Sequence, residues 1–206
     1  KKIKFVPFWK KNNIVLKLFN IFGKKNIKLV GGAVRVALNN EKTDDLDFAI
    51  NMRPSLVKQK LEKNNIKFKD KSKGHGTISI FSKDHVIEIT SLRKDIKTFG
   101  RKAKVGFINS FEEDAKRRDF TINSIYSDLE GNLFDPFDGV KDLAKNKIKF
   151  IGAPINRIEE DNLRVLRYFR FVGTYSSNNQ ELHLKSLNSC LENFSKIKSL
   201  SKERVQ

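Results

Sequence analysis

The spacing of apolar residues changes period part-way along the chain, and that change most limits the folds open to it. Before about Ile151 the apolar residues fall in short runs bounded by Gly, Pro, Asn or Asp. This pattern predicts strands over Ile27–Val30, Leu46–Ile50, Thr77–Ser82 and His85–Leu92, the last two joined by the turn Lys83-Asp84. Helices are predicted from the line Ile14, Leu18 and Ile21, from Gly32 through Leu38, from Pro54 to near Asn65, and over Phe111–Arg118, where Ser110 and Glu113 form a capping box. Ile122–Asp128 and Asn132–Phe134 flank Glu130-Gly131 as a candidate hairpin, and Arg93–Asn109, without clear period, reads as a basic loop. From Pro154 onward the spacing is helical, over Ile158–Gly173 and Gln180–Phe194 with the polar patch Tyr175–Asn179 between. A mixed part followed by an all-helical part implies an α+β chain of two units, 1–150 and 151–206.

Composition narrows the function classes. No apolar run reaches the ~18–20 residues of a bilayer-spanning helix, so no membrane partner is expected. Cys190 is the only cysteine, which excludes intrachain disulfides and cysteine-rich zinc sites. His75, His85 and His183 lie too far apart for metal-ligand spacing. A reducing, cytoplasmic location fits best. The 42 Lys and Arg against 24 Asp and Glu leave a net charge of +18. That excess suits a polyanionic partner or an anionic substrate; it also suits a chain simply rich in lysine.

Four clusters carry possible chemistry. Gly31-Gly32 joins a strand to a helix bearing Arg35, and glycines there let backbone N–H groups approach an anion; a plain turn has the same signature. Asp45 and Asp47 alternate on one strand, so both point to one face, roughly 6.6–7 Å apart. Such a pair can share divalent cations, or mark a solvated turn with one acid at the strand edge. Glu88, between Ile87 and Ile89, is either a third carboxylate or the polar side of an amphipathic strand. Arg117, Arg118, Asp119 and Asn123 suit triphosphate oxygens through bidentate guanidinium bonds, or end a helix favourably. Glu160 and Asp161 with Arg164, Arg167 and Arg170 form a slowly turning stripe on the predicted helix. Asp161 and Arg164 can read a base edge while Arg167 and Arg170 hold phosphate, although a salt-bridged solvent face gives the same spacing.

In this order the pieces resemble the class II (bacterial-type) tRNA nucleotidyltransferases, the CCA-adding enzymes, and their relatives the bacterial poly(A) polymerases. The matching stretches are LVGGAVR (29–35), DLD (45–47), GTISIF and VIEITSLR (76–93), RRDFTINSIY (117–126), FDPFDG (134–139) and EEDNLRVLRYFRF (159–171). The final LSKERV (200–205) is similar to the start of the family's next helical region. The resemblance implies a DNA polymerase β-like nucleotidyltransferase head, a mixed sheet with flanking helices, followed by a helical neck. It implies template-independent transfer of CMP and AMP from CTP and ATP to a tRNA 3′ end by two-metal catalysis. Asp45 and Asp47 would bind Mg²⁺, with Glu88 as the candidate third catalytic carboxylate. Gly31, Gly32, Arg35, Arg118, Asp119 and Asn123 would meet the nucleotide's triphosphate and sugar. Asp161 and Arg164 would pair with the C or A base, with Arg167 and Arg170 nearby, and 93–109 would be the loop used in switching to A addition.

Val36 stands where the family often has Asp, and Phe99 where its loop has Asp. The sequence stops at Gln206, before the body and tail with which the family grips tRNA, and so reads as a fragment, a truncated piece or a minimal form. Poly(A) addition and partial CC- or A-addition share these motifs, and a catalytically inert basic RNA-binding module is the alternative of a different class.

Overall fold

The computed structural model describes residues 5–71, 76–82, 85–99, 102–175, 181–201 and 203, with the side chains of 95–104 left out. The turn Lys83-Asp84, most of the patch 175–179 and half of 200–205 therefore lie outside the described residues.

The strands are β1 (Ile27–Val30), β2 (Asp45–Ile50), β3 (Phe68–Asp70), β4 (Thr77–Phe81), β5 (Val86–Ser91), β6 (Arg93–Phe99), β7 (Lys102–Phe107), β8 (Tyr126–Ser127) and β9 (Leu133–Phe134). The helices are α1 (Asn13–Phe22), α2 (Gly32–Leu38), α3 (Pro54–Lys63), α4 (Phe111–Lys116), α5 (Gly139–Ala144), α6 (Pro154–Glu160), α7 (Leu163–Thr174) and α8 (Leu184–Glu192). The described residues build a seven-stranded sheet in the order β3-β4-β5-β2-β1-β8-β9. Within it β2 and β5 run parallel, and the other pairs are antiparallel.

Alternation writes the two faces of this sheet. Leu46, Phe48, Ile78, Ile80, Ile87 and Ile89 are buried on one side, in a single cluster with Val15, Leu18, Phe19 and Phe22 of α1, Val34 of α2, and Val57 and Leu61 of α3. The opposite side is covered only in part, where Val30, Ala49, Leu92, Ala115 and Tyr126 form a smaller cluster. The α6–α8 region joins the main core through rings: Phe120 bridges to Phe150, Phe150 stacks on Tyr168 at 5.9 Å and 11°, and Phe120 meets Phe171 edge-on at 5.6 Å. No helix among the described residues is long and apolar enough to cross a membrane.

Five expectations change. The helix predicted over Ile158–Gly173 is two helices broken at Asp161, which is extended (φ −157°, ψ 108°), and whose Oδ1 accepts from the N–H of Leu163 at 3.0 Å. A carboxylate that bonds nearby backbone favours a cap over a helix interior. Arg93–Asn109 is mainly the antiparallel ribbon β6–β7; lying outside the main sheet, a ribbon need not write the core's alternating pattern. The strand predicted from Ile122 begins only at Tyr126, because residues Thr121–Asn123 form a 3₁₀ turn whose Thr121 hydroxyl donates to Asp142 at 2.7 Å. In α1 the core takes Val15, Leu18, Phe19 and Phe22, while Ile14 and Ile21 stay half-buried. The last predicted helix starts at Leu184, where His183 Nδ1 accepts from Ser186 N at 3.3 Å, and it passes into a 3₁₀ turn after Glu192.

Candidate active site

Asp45 and Asp47 sit at the start of β2 and point away from Leu46 and Phe48, so both face the open side of the sheet. The parallel pairing of β2 with β5 sets Asp45 opposite Val86 and Asp47 opposite Glu88. Directly opposed residues share a face, and this brings all three predicted carboxylates together. Asp47 presents solvent-accessible surface, yet the protein around it withholds enough water to raise its carboxyl above the ordinary value. The neighbouring Glu88 and Asp45 charges act in the same sense, and Arg118 and Lys71 oppose them. Glu88 is already taken by an ion pair with Lys71. Among the described residues no three His, Cys, Asp or Glu side chains close into a metal-binding group.

One strand over, the sheet meets its glycine turn. Gly31 ends β1 with φ +71° and ψ −122°, a conformation that needs glycine. A Cβ there would come within 4.0 Å of Arg118 Nη1 and 3.9 Å of the Asn123 carbonyl, so the turn lies directly under a guanidinium. Arg118 is held by Tyr126 Oη at 3.1 Å and Asp114 Oδ2 at 3.2 Å, and it lies 5.3 Å from the Tyr126 ring centroid. Burial pulls the guanidinium's pKa down, but Tyr126 and Asp114 pull harder and keep it protonated. Asp114 is 1% exposed. Besides Arg118 it binds Arg117 at 2.8 Å, the Tyr126 hydroxyl at 2.8 Å and the N–H of Arg93 at 3.3 Å. Burial pushes its carboxyl up, yet Arg118 and Arg117 outweigh burial and hold it below the ordinary range. Asp114 escaped the motif reading, although it falls three and four positions before Arg117 and Arg118, the spacing of helical neighbours.

A second network joins the sheet to α7. Asp119 Oδ1 accepts from Asn123 Nδ2 and from Phe120 N, each at 2.8 Å, and its Oδ2 accepts from Arg167 Nε at 2.7 Å. Asn123 Oδ1 in turn accepts from Arg35, whose Nε donates to the Tyr175 hydroxyl at 3.1 Å. Burial raises the Asp119 carboxyl, but Arg167 and these hydrogen bonds overcome it and leave the group below its ordinary value. Arg35, Arg170 and Arg167 surround the Phe171 ring at 4.9, 5.3 and 5.7 Å from its centroid. Phe171 and Tyr175 carried no sign in the sequence beyond aromatic residues at helical spacing.

Arg164 lies in the first turn of α7. Its Nη1 donates to Glu160 Oε2 at 2.6 Å and to the Arg157 carbonyl at 2.9 Å, and its Nη2 to the Arg117 carbonyl at 3.2 Å. Asp161 stands in the break before it rather than on a continuous helix. Val36 lies within α2, and Phe99 ends β6 with its side chain among those left out.

The donor set suits a hard divalent cation. Asp45 and Asp47 are oxygen ligands on one face, neither carboxylate makes a hydrogen bond or salt bridge with a described residue, and their repulsion is relieved by positive charge between them. A carboxylate pair on a central strand, beside a glycine turn covered by a buried arginine, defines a nucleotidyltransferase head. Residues 27–149 match the family model described as the poly(A) polymerase head domain, and the chain belongs to that family, which includes the class II tRNA nucleotidyltransferases. It is 39% identical over 191 residues to the mitochondrial CCA tRNA nucleotidyltransferase 1 of Mus musculus, covering 91% of this chain and 44% of that protein. The CCA-adding enzyme of Enterococcus faecalis is 36% identical over 178 residues, covering 85% and 42%. The Bacillus stearothermophilus CCA-adding enzyme solved in complex with CTP superimposes with a TM-score of 0.79 at 30% identity, covering 98% of this chain and 47% of that one. The chain thus spans less than half the length of these relatives.

Proposed function

We propose that this chain is the catalytic part of a template-independent RNA nucleotidyltransferase that transfers CMP and AMP from CTP and ATP to a tRNA 3′ end. Residues 1–150 serve as the head and 151–206 as the nucleotide-holding neck. The observation that carries the reading is the unpaired, same-face Asp45 and Asp47 one strand from the glycine turn under Arg118. Similar solved enzymes bind CTP in one case and a primer tRNA with an incoming ATP analogue in another.

In the reaction the acceptor 3′-oxygen bonds to the nucleotide's α-phosphorus, the bond to pyrophosphate breaks, and the 3′-hydroxyl gives up its proton to solvent water. Asp45 and Asp47 would hold Mg²⁺; bound there, the cation favours the ionised hydroxyl and offsets charge on the transferring phosphate. Glu88 shapes the field at Asp47 and is itself steadied by Lys71. Gly31 and Gly32 leave room for phosphate to approach the backbone, and Arg118, fixed by Asp114, faces it. Arg35, Arg167 and Arg170, with Asp119 and Asn123, form the second positive wall, which receives triphosphate and ribose. Asp161 and Arg164 discriminate the base. The one cysteine, buried and unbridged, suits a cytoplasmic site of action.

The test offers a tRNA lacking its terminal CCA with each labelled nucleotide separately and with CTP and ATP together. Incorporation of C and then A, abolished in Asp45→Ala and Asp47→Ala with the fold intact, is expected. Near-normal transfer by either variant overturns the two-metal assignment. Unlimited A addition identifies a poly(A) polymerase, and CC or A alone a partial enzyme.

A further inference from the structure

The open sheet face continues past the carboxylates, away from the glycine turn. Val86, opposite Asp45, is paired on its other side with Phe81, so Asp45, Val86 and Phe81 form one row across β2, β5 and β4. The next row is Asp47, Glu88, Ser79 and Lys69. Phe81 is 64% exposed and Val86 42%. At a strand spacing of about 4.8 Å, the Phe81 backbone lies roughly 10 Å from that of Asp45. Single exposed apolar residues are ordinary. Two side by side, in register with an active-site carboxylate and flanked by exposed Lys69 and Lys71, form a flat apolar platform with a basic edge.

The order of strands says which substrate this platform serves. In phosphoryl transfer the attacking and leaving oxygens lie roughly in line through the phosphorus. The glycine turn and Arg118 lie on the β1 side of β2, where the leaving pyrophosphate is held under the proposed function, on which this inference rests. The acceptor must then approach from the opposite side, over β5 and β4. We infer that Phe81 and Val86 form the acceptor platform: the base at the single-stranded RNA 3′ end stacks on the Phe81 ring while Lys69 and Lys71 meet its phosphates. Stacking suits an acceptor that changes identity as nucleotides are added, because every base offers a π-face.

The experiment measures binding rather than turnover. Fluorescence anisotropy with a 5′-labelled single-stranded RNA, natural or abasic at its 3′-terminal nucleotide, is read for the parent, Phe81→Ala, Phe81→Leu and Phe81→Trp. A base–aromatic stack lost on truncation weakens binding by roughly 5- to 150-fold. Phe81→Ala and Phe81→Leu should show that loss, and Phe81→Trp should not. The abasic RNA should bind the parent as weakly as natural RNA binds Phe81→Ala, with no further loss in the variant. Because Phe81 is exposed, unchanged melting of all variants is expected. Affinities within twofold across the natural-RNA series overturn the inference, and so does self-association in sedimentation that depends on Phe81 while RNA affinity does not change. A parent that binds in this pattern but incorporates no nucleotide overturns the catalytic reading and leaves the platform standing.

Discussion

Replacing Asp114 with asparagine keeps the side chain's shape and removes the charge that two arginines share. Arg117 and Arg118 approach the carboxylate at 2.8 and 3.2 Å, with their side chains only 18% and 19% exposed. Removing one partner of a buried ion pair costs ~3–5 kcal/mol; the residual exposure of the arginines favours the lower end, about 3 kcal/mol. For a chain of this size 1 kcal/mol moves the melting temperature by about 2–4 °C, so Asp114→Asn should melt roughly 6–12 °C below the parent. The pH dependence supplies the sign. The folded carboxyl lies below its ordinary 3.8, so its contribution is complete above that value and is lost as pH falls through the lower, folded one. The stability gap between parent and variant should therefore stay constant from pH 7 to about pH 5 and close only below about pH 4. Urea denaturation across that range measures it, and the KM for nucleotide, expected to rise as Arg118 loses its anchor, measures the functional part. A gap under about 1 kcal/mol at pH 7, or one that widens as pH falls, would refute the reasoning.

Two further perturbations test other parts of the frame. Gly139→Ala places a Cβ 2.2 Å from the Thr121 carbonyl oxygen and 2.8 Å from its carbon, so the variant should lose about 1–3 kcal/mol by urea midpoint, although alanine is the better helix former by about 1 kcal/mol; a higher midpoint refutes the clash. Cytosine and adenine share an exocyclic amine beside a ring-nitrogen acceptor, so Asp161→Ala and Arg164→Ala should each narrow the preference for CTP and ATP over UTP and GTP by roughly 5- to 150-fold. Single-nucleotide incorporation with all four triphosphates checks this, and an unchanged preference in both variants removes these residues from base selection.

The strand-borne part of the site was legible because period-two alternation fixes a face as well as an element. Once Leu46 and Phe48 are core, Asp45 and Asp47 must point the other way. Which strand lies beside β2 is a matter of topology, and the parallel partner β5 that sets Glu88 against Asp47 leaves no local mark. The helix-borne part was less legible for a related reason. A run of arginines every three residues has helical spacing whether or not the backbone continues through Asp161, and the break depends on a carboxylate bonding the Leu163 amide. Asp114 was hidden by company: among Glu112, Glu113 and Lys116 it reads as one more charge of a solvated helix, and only burial against Tyr126 and Arg118 distinguishes it.

The arginines differ in how firmly they are held, and the difference follows from which acid holds each one. Asp114 is enclosed by Arg117, Arg118 and Tyr126, so Arg118 has a buried internal anchor. A donor fixed in advance loses little freedom when an anion arrives, which is the condition under which oriented charge acts most strongly on a reacting phosphate. Arg167 is 37% exposed while its partner Asp119 is 8% exposed, so one edge of the guanidinium is fixed and the other is open to solvent. Arg35 is bound by neutral oxygens, from Asn123 and Tyr175, so no carboxylate is among its hydrogen-bond partners. Arg164 faces Glu160, so a base edge reaching it must share that carboxylate's guanidinium. The graded set explains how a chain of +18 keeps three guanidiniums around one ring: Arg167 has the Asp119 carboxylate, Arg35 has the neutral oxygens of Asn123 and Tyr175, and Arg170 meets the Phe171 ring itself, so the internal acceptors weaken toward the edge where an incoming triphosphate would supply the missing negative charge.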